Sequence, residues 1–314
     1  MKKRYLILLL ILLSIVSLFI GVKEVSLQDI LSFENEGLQI MLLSRIPRLI
    51  SIIVAGMGMS ISGLIMQSIS RNKFVSPSTA ATIDSAKLGV LISLILFTSS
   101  RPLHKMLVSF IFAIAGTLFF MQILKRIKFQ NTIFIPLVGI MLGNIIDSIT
   151  TFFAYKLNLI QSISAWLQGD FSMIIKGRYE LLYISIPLLV VAFLYANKFT
   201  IAGMGEDFAA NLGLNYNRVI NVGVSIVALI SSLVIITVGR IPFLGLIVPN
   251  LVTIFQGDNM RKNIFHTALF GSIFLLFCDI LGRIIIYPYE IPISLTVGVI
   301  GSVIFLVLLV RGNR

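Results

Sequence analysis

Long apolar runs separated by short charged clusters restrict the fold of this chain more than any other feature of its sequence. Ten runs occur, near 4–22, 47–68, 78–98, 104–124, 132–155, 179–196, 218–239, 244–256, 264–285 and 293–310. A helix of about 20 apolar residues crosses the hydrocarbon core of a bilayer, and helices satisfy their own backbone hydrogen bonds there. The pattern therefore predicts an all-α polytopic membrane protein with about ten transmembrane helices.

The composition indicates that lipid, and not water, covers most of the surface. Among the 314 residues, 57% are hydrophobic and 12% are charged, whereas soluble proteins have about 45–50% apolar and about 25% charged residues. The apolar runs continue through the whole chain without a soluble domain or a proline-rich linker. We therefore expect residues 1–314 to form a single transmembrane domain.

Basic residues cluster between the apolar runs, and the formal net charge is +12. Five clusters stand out: Lys2-Lys3-Arg4, Arg71 with Lys73, Lys125-Arg126 with Lys128, Arg261-Lys262, and Arg311 with Arg314. The positive-inside rule then places both termini and four loops in the cytoplasm, under a bacterial inner membrane: 69–77, 125–131, 197–217 and 257–263. Because no basic face interleaved with aromatic residues accompanies these clusters, a nucleic-acid partner is not expected.

Residues that hold metals or carry out acid–base chemistry are scarce. The single cysteine, Cys278, lies inside an apolar run, and the two histidines, His104 and His266, are far apart. We therefore expect no metal centre and no cofactor bound by this chain. The pattern also lacks paired carboxylates and a nucleophile beside its base, so a membrane-embedded enzyme is a weaker hypothesis than a transport protein.

The longest predicted cytoplasmic loop contains the signal of a short helix. Glu206 and Asp207 suit its first turn, where the helix dipole favours acidic groups, and Gly213 suits a left-handed C-terminal stop. Phe208 and Leu212, four residues apart, predict an apolar ridge on one face. Such a ridge either binds a partner or lies against its own bundle, and both interpretations stay open.

Three arginines fall at predicted outer ends of helices, against the positive-inside rule. Arg45 and Arg48 stand at the start of the second run, and Arg283 stands near the end of the ninth. Arginine binds carboxylates bidentately, so a partner with acidic groups is one hypothesis. The alternatives are lipid headgroups for Arg45 and Arg48, and an i,i+4 ion pair with Asp279 for Arg283.

The fifth run carries a polar stripe at i, i+3, i+4 and i+7: Asn144, Asp147, Ser148 and Thr151. In a membrane helix such a stripe is expected to face a bundle interior or a water-filled path, since Asp147 is costly elsewhere. A hydrogen-bonded seam between helices is the alternative. Asp84 and Lys87, three residues apart in the third run, are expected to neutralise one another.

Several ordered motifs carry a resemblance to a known family. They are Arg45-Ile46-Pro47-Arg48, Ser70-Arg71-Asn72-Lys73-Phe74-Val75-Ser76-Pro77, Gly205-Glu206 through Leu212-Gly213, Pro242-Phe243-Leu244-Gly245-Leu246-Ile247-Val248-Pro249 and Glu290-Ile291-Pro292. Over nearly its whole length the chain resembles the FecCD-type permeases of ABC importers for iron-siderophores, haem and vitamin B12. It departs from the common family pattern at Asn72-Lys73-Phe74, usually Asn-Pro-Leu, and at Pro249-Asn250, often Pro-His.

The resemblance implies a type II ABC importer permease fold and a set of partners. These are a second permease subunit, two cytoplasmic ATPases that hold ATP and Mg, and an extracytoplasmic siderophore-binding protein. The motif 72–77 looks closer to the anguibactin and petrobactin permeases, where the second permease is usually a different chain. This favours a catecholate-type ferric siderophore over haem or vitamin B12. An ion-coupled secondary transporter, with Asp147 and Asp84 as ion sites, is the main rival.

The resemblance also implies roles for individual residues. Arg45, Arg48 and Arg283 fall where the vitamin B12 permease meets glutamates of its binding protein. Two gates are implied, an inner one at Asn72 and Phe74 and another at Asn131 and Thr132. The loop that contacts the ATPase is implied to include Gly203, Gly205, Glu206, Ala209, Leu212 and Gly213. No Gly-x-x-x-x-Gly-Lys-Ser/Thr loop occurs in this chain, so the nucleotide site is expected on the ATPase.

Overall fold

A computed structural model describes residues 3–21, 35–77, 81–97, 102–126, 134–177 and 179–312. Within these ranges the regular structure is entirely helical, and the helices are α1 (Lys3–Phe19), α2 (Asn35–Ile40), α3 (Ile46–Ser70), α4 (Thr82–Leu96), α5 (Pro102–Arg126), α6 (Phe134–Lys156), α7 (Ile160–Leu167), α8 (Ser185–Met204), α9 (Glu206–Asn211), α10 (Tyr216–Val238), α11 (Leu244–Gln256), α12 (Met260–Ile284) and α13 (Ile293–Gly312). A π-helical turn, Met41–Arg45, leads into α3, and a 3₁₀ turn, Glu180–Ile184, leads into α8.

Each predicted apolar run coincides with a helix, so the all-α prediction is confirmed. Among the described residues, six helical stretches are long and apolar enough to cross a membrane: Gly37–Ser70, His104–Ile123, Leu137–Lys156, Glu180–Met204, Tyr216–Val238 and Met260–Ile284. Two further apolar helices are shorter, Leu244–Gln256 and Ile293–Leu308. The count of about ten spans stays a prediction.

Helices α3, α10 and α12 form the centre of the bundle, because most of their side chains are buried. Helix α3 packs against α12, α10 and α11, and α1 packs against α12 and also contacts α3. Close approach depends on residues without side chains. A Cβ at Gly63 of α3 would overlap the carbonyl group of Gly245 of α11. These two backbones therefore touch, as small residues permit in membrane helices.

Helix α11 begins inside the bundle, where its second residue, Gly245, meets α3. The chain reaches this point through the segment 239–243, which is not helical. Its backbone has partners in the loop that follows α7, since the Arg240 amide donates to the Leu167 carbonyl at 3.0 Å. The Asp170 amide likewise donates to the Val238 carbonyl at 3.0 Å. Such partners are what irregular backbone needs at membrane depth.

Two ends of the bundle are used as landmarks below. The arginine end carries Arg45 at the start of α3 and Ile284 at the end of α12. The loop end carries Ser70 at the end of α3, the short helix α9, and Met260 at the start of α12.

Candidate functional site

A buried ionic cluster joins α3 to α12 at the arginine end. Arg48 donates from Nη2 to Asp279 Oδ1 at 2.7 Å and from Nη1 to Glu290 Oε2 at 2.7 Å. The Arg48 side chain is 13% exposed and that of Asp279 is 3% exposed. Charge-assisted hydrogen bonds of this kind are stronger than neutral ones. The pair therefore holds the start of α3 against α12 and against the segment after it.

Arg283 completes the cluster and extends it to α1. Its guanidinium pairs with Asp279 one helical turn earlier, which confirms the i,i+4 ion pair that the sequence offered as an alternative. It also donates to the carbonyls of Ser17 at 2.9 Å and Ile20 at 2.8 Å, near the end of α1. Cations suit this position, because the last carbonyls of a helix have no partner within it.

Arg45 is also buried, and its guanidinium donates to the carbonyl of Leu18. All three arginines therefore lie in one region and bind groups of this same chain. Their predicted role in docking a binding protein stays a prediction. The guanidinium groups of Arg48 and Arg283 already bind carboxylate and carbonyl groups of this chain.

The predicted short helix in the longest loop is present as α9, Glu206–Asn211. It begins after Gly205, whose φ is +127°, and the left-handed stop occurs at Gly213, whose φ is +73°. Glycine adopts such angles without a steric penalty. Phe208 is 48% exposed and Leu212 is 59% exposed, so the apolar ridge faces away from the bundle. Of the two interpretations, a ridge available to a partner fits this geometry.

The other predicted coupling residues attach α9 to the bundle. Ala209 is fully buried, so it packs α9 onto its neighbours and is not on the exposed ridge. Glu206 is exposed in the first turn. Gly203 lies against Ser68 of α3, and a Cβ there would be 3.0 Å from Ser68 Oγ. A change in the position of α9 can therefore reach the end of α3 through the adjoining end of α8.

Two of the predicted gate residues lie in the loop after α3. The Asn72 side chain accepts a hydrogen bond from the amide of Phe74 at 2.8 Å, which is an Asx turn. Phe74 is half-exposed and meets Phe305 of α13 edge-on, with ring centroids 6.3 Å apart. The other predicted gate residues, Asn131 and Thr132, lie outside the described residues.

The two departures from the common family pattern face one another in space. Asn250 of α11 donates from Nδ2 to the carbonyl oxygen of Lys73 at 2.8 Å. The Lys73 ammonium in turn lies 3.2 Å from Asp258, in a pair that is largely exposed. The loop that carries Asn72 and Phe74 is therefore bound to α11 through the Lys73 carbonyl and to the loop after α11 through the Lys73 ammonium.

A cavity of about 260 Å³ with a mixed polar and apolar lining lies at the loop end, between the predicted coupling and gate segments. Its lining includes Ser68, Arg71, Lys73, Gly203 and Asp258. The Arg71 guanidinium packs against Gly205, at the start of α9, where a Cβ would come within 2.8 Å of Nη2. One wall of the cavity thus belongs to the gate loop and another to the end of α8 beside α9.

Two residues of the polar stripe of α6, Asp147 and Thr151, pair with α4. Lys87 of α4 donates to Asp147 Oδ1 at 2.7 Å and to Thr151 Oγ1 at 2.8 Å. Asn144 accepts a backbone hydrogen bond from the Ser148 hydroxyl at 2.7 Å. All four stripe residues keep contact with the surface of this chain. Their predicted place along a transport path therefore stays open as a prediction.

The expected ion pair between Asp84 and Lys87 is wrong, because Lys87 reaches across to α6. The physical reason is that helix packing brings a carboxylate and a hydroxyl together there, whereas Asp84 offers a carboxylate alone. Asp84 points instead at Gly143 of α6. The charges of Lys87 and Arg240 both act on its carboxylate.

Arg240 is a charged residue of this site that the motif analysis did not single out. It is exposed and lies in the non-helical segment before α11. A sequence signal was available: Arg240 stands between two apolar runs at a predicted outer end, which is the anomaly that singled out Arg45 and Arg48.

Comparison with known proteins identifies the family to which this chain belongs. The model of the FecCD transport family matches residues 8–311, which is nearly the whole chain. The chain belongs to the FecCD transport family. The FecCD motifs named from the sequence lie at the contacts described above. Residues 45–48 belong to the arginine cluster, and residues 70–77 carry the predicted gate residues Asn72 and Phe74.

Two FecCD relatives are similar over most of their length. The chain is 63% identical over 311 residues to a petrobactin import system permease protein of Bacillus subtilis, covering 99% of this chain and 98% of the relative. It is 37% identical over 298 residues to a ferric-anguibactin transport system permease protein of Vibrio anguillarum, covering 95% of each. The resemblance to that branch of FecCD permeases is confirmed.

A solved structure has the same fold. It is described as an inward-facing conformation of an ABC transporter of metal-chelate type, and the match has a TM-score of 0.87 over 98% of each chain. The sequences are 21% identical, so this match speaks for the fold alone. Within the described residues of this FecCD chain, no group of three or more His, Cys, Asp or Glu side chains is arranged to hold a metal ion.

Proposed function

We propose that this chain is a permease subunit of an ABC importer that carries a ferric siderophore across the cytoplasmic membrane. The FecCD membership and the names of the petrobactin and anguibactin relatives support this proposal. The single observation that carries it is the exposed ridge of Phe208 and Leu212 on a short helix with a glycine at each end. Such a ridge suits a groove on a partner ATPase.

The geometry supports a route from that helix to the gate. α9 is fixed to the bundle by buried Ala209, and the adjoining glycines contact Ser68 and Arg71 at the end of α3. The gate loop begins at the same place. When a partner binds one position of α9 better than another, it shifts the population of the connected gate states. ATP and Mg act on the ATPase chain, and this chain transmits the movement.

The remaining assignments belong to the same proposal. The loop end and both termini face the cytoplasm, and a loaded binding protein approaches the arginine end. A second, paralogous permease completes the path, and the solute is of the catecholate type. An ion-coupled mechanism is less well supported, because the Asp147 carboxylate already binds the Lys87 ammonium and is not a free ion site.

Uptake by the reconstituted importer tests the proposal. Radioactive ferric petrobactin is the probe, and the wild-type complex is expected to take it up only with the ATPase and ATP present. Leu212→Glu places a charge on the exposed ridge and is expected to abolish uptake while ATPase molecules no longer copurify. Leu212→Met keeps the ridge apolar and is the matched control, expected to behave as wild type. Uptake driven by an ion gradient without the ATPase would refute the proposal.

A further inference from the structure

A group of charged residues lies deep in the membrane-spanning part of the chain. Asp147 stands about 13 Å, at 1.5 Å per residue, from the end of α6 at Lys156, and α6 is one of the helices long enough to cross a membrane. The hydrocarbon core of a bilayer is about 30 Å thick, so the ion pair is near its middle. The Lys87 side chain is 21% exposed and that of Asp147 is 43% exposed. Charges at this depth face a polar cavity or a protein neighbour, because lipid contact is costly.

The charge of Arg240, like that of Asp147, acts on the Asp84 carboxylate, and Arg240 has its backbone held and its side chain exposed. The Arg240 amide donates to the Leu167 carbonyl at 3.0 Å, and Gly169 packs against the Arg240 carbonyl. Among the residues that the structure describes, no acceptor binds the Arg240 guanidinium. Because the Arg240 backbone is held and its guanidinium donors are unpaired within the described residues, the side chain can bind an anionic group from outside this chain.

The neighbouring charges do not supply that group. Asp147 accepts a hydrogen bond from Lys87, which also donates to Thr151. Asp84 lies close enough for the charge of Arg240 to act on it, yet its carboxylate points at Gly143 and makes no ion pair with Arg240. Among Asp84, Asp147 and Arg240, the side chain with unused hydrogen-bonding groups is therefore the Arg240 guanidinium.

The chemistry of the proposed solute matches this cation. A chelate of Fe³⁺ by catecholate and carboxylate oxygens carries a net negative charge, because the ligand supplies more anionic oxygens than the iron neutralises. A planar guanidinium presents paired N–H donors to two such oxygens at once. We infer that Arg240 contacts the anionic oxygens of the ferric chelate in the transport path, beside the Lys87–Asp147 pair, and favours anionic chelates. This inference rests on the proposed function.

Arg240→Gln and Arg240→Glu in the complete importer test the inference, with radioactive ferric petrobactin as the probe. Loss of a hydrogen bond to a charged group lowers the maximal uptake rate about tenfold for Arg240→Gln, and Arg240→Glu is slower still. Arg240→Lys keeps part of the rate. The concentration of loaded binding protein that gives half-maximal uptake stays unchanged, because the side chain acts after docking. Arg261→Gln removes an exposed cation at the loop end and is the matched control, with wild-type uptake.

Two alternatives have distinct outcomes. If Arg240 only balances the charge of Asp84, the double variant Asp84→Asn with Arg240→Gln regains wild-type uptake, and the inference is overturned. If Arg240 binds the headgroup of an anionic lipid, the effect of Arg240→Gln disappears in vesicles of zwitterionic phosphatidylcholine alone and persists with phosphatidylglycerol present, which also overturns it. A slow double variant in both kinds of vesicle supports the inference.

The failure of this inference is distinguishable from the failure of the proposed function. Wild-type uptake that needs the ATPase, together with unchanged uptake by Arg240→Gln and Arg240→Glu, refutes only the inference about Arg240. A wild-type complex that takes up no ferric petrobactin, or that needs no ATPase, sinks the proposed function. Membrane levels of each variant, measured in the same preparations, separate transport rate from amount of protein.

Discussion

Replacing Asp279 with asparagine removes the carboxylate that Arg48 and Arg283 share at the arginine end. The wild-type cluster of Arg48, Arg283, Asp279 and Glu290 is formally neutral, and Asp279→Asn leaves one positive charge in excess. Breaking a buried ion pair by removing one partner costs about 3–5 kcal/mol, because the other charge remains buried without compensation. At roughly 2 °C per kcal/mol for a chain of this size, the melting temperature falls by about 6–10 °C.

The chain contains its own probe for this measurement. Cys278 is a buried free thiol, so a maleimide dye that fluoresces on reaction reports unfolding in detergent. The thiol of each variant must be unreactive before the transition, which verifies that the folded state still buries it. Trp166 fluorescence gives a second signal from another part of the bundle.

An exposed ion pair of the same chain is the matched control. Asp258 is 75% exposed and pairs with Lys73, so Asp258→Asn changes stability by less than about 1 kcal/mol. A double variant, Asp279→Asn with Arg283→Met, restores the charge balance and recovers part of the lost stability. If Asp279→Asn melts within about 2 °C of Asp258→Asn, the cluster does not stabilise the fold as argued.

Two further predictions concern the packing of α3 and of α4. Gly63→Ala forces apart the backbones of α3 and α11, where a Cβ would overlap the Gly245 carbonyl, and is expected to lower the melting temperature by several degrees. Gly298→Ala in α13, where the nearest atom to the added Cβ lies at 3.7 Å, is the control, and equal melting temperatures would contradict the close contact. Lys87→Met leaves Asp147 uncompensated and is expected to reduce folded protein in membranes, whereas the double variant with Asp147→Leu recovers it. An unchanged amount of folded Lys87→Met protein would contradict a role of this pair in folding.

Arg45, Arg48 and Arg283 already have partners within this chain, so a role in docking a binding protein that is inferred from the motifs needs a separate test. Arg45, Arg48 and Arg283 were singled out as arginines on the wrong side of the membrane, which suggested an external partner with carboxylates. The structure supplies carboxylates and helix-end carbonyls from this chain. A charge reversal at Arg48 therefore disturbs the bundle itself, and reduced docking by such a variant must be compared with its melting temperature.

Local features were predictable from the sequence because they depend on residues close together in the chain. The positions of the helices follow from apolar runs, since a backbone in lipid must satisfy its hydrogen bonds within the run. Helix α9 follows from acidic residues in its first turn and a glycine after its last. The pair between Asp279 and Arg283 is also local, at one helical turn.

Contacts between distant segments were decided by the tertiary structure alone. Lys87 and Asp147 are 60 residues apart, Lys73 and Asn250 are 177 apart, and Arg48 and Asp279 are 231 apart. Several partners were chemically acceptable for the two cations Lys87 and Arg48, as Asp84 was for Lys87. The choice among them is set by which helix faces pack together, and that packing depends on contacts such as the one between Gly63 and Gly245. A one-dimensional pattern records the charges, and only the packed bundle determines which of them meet.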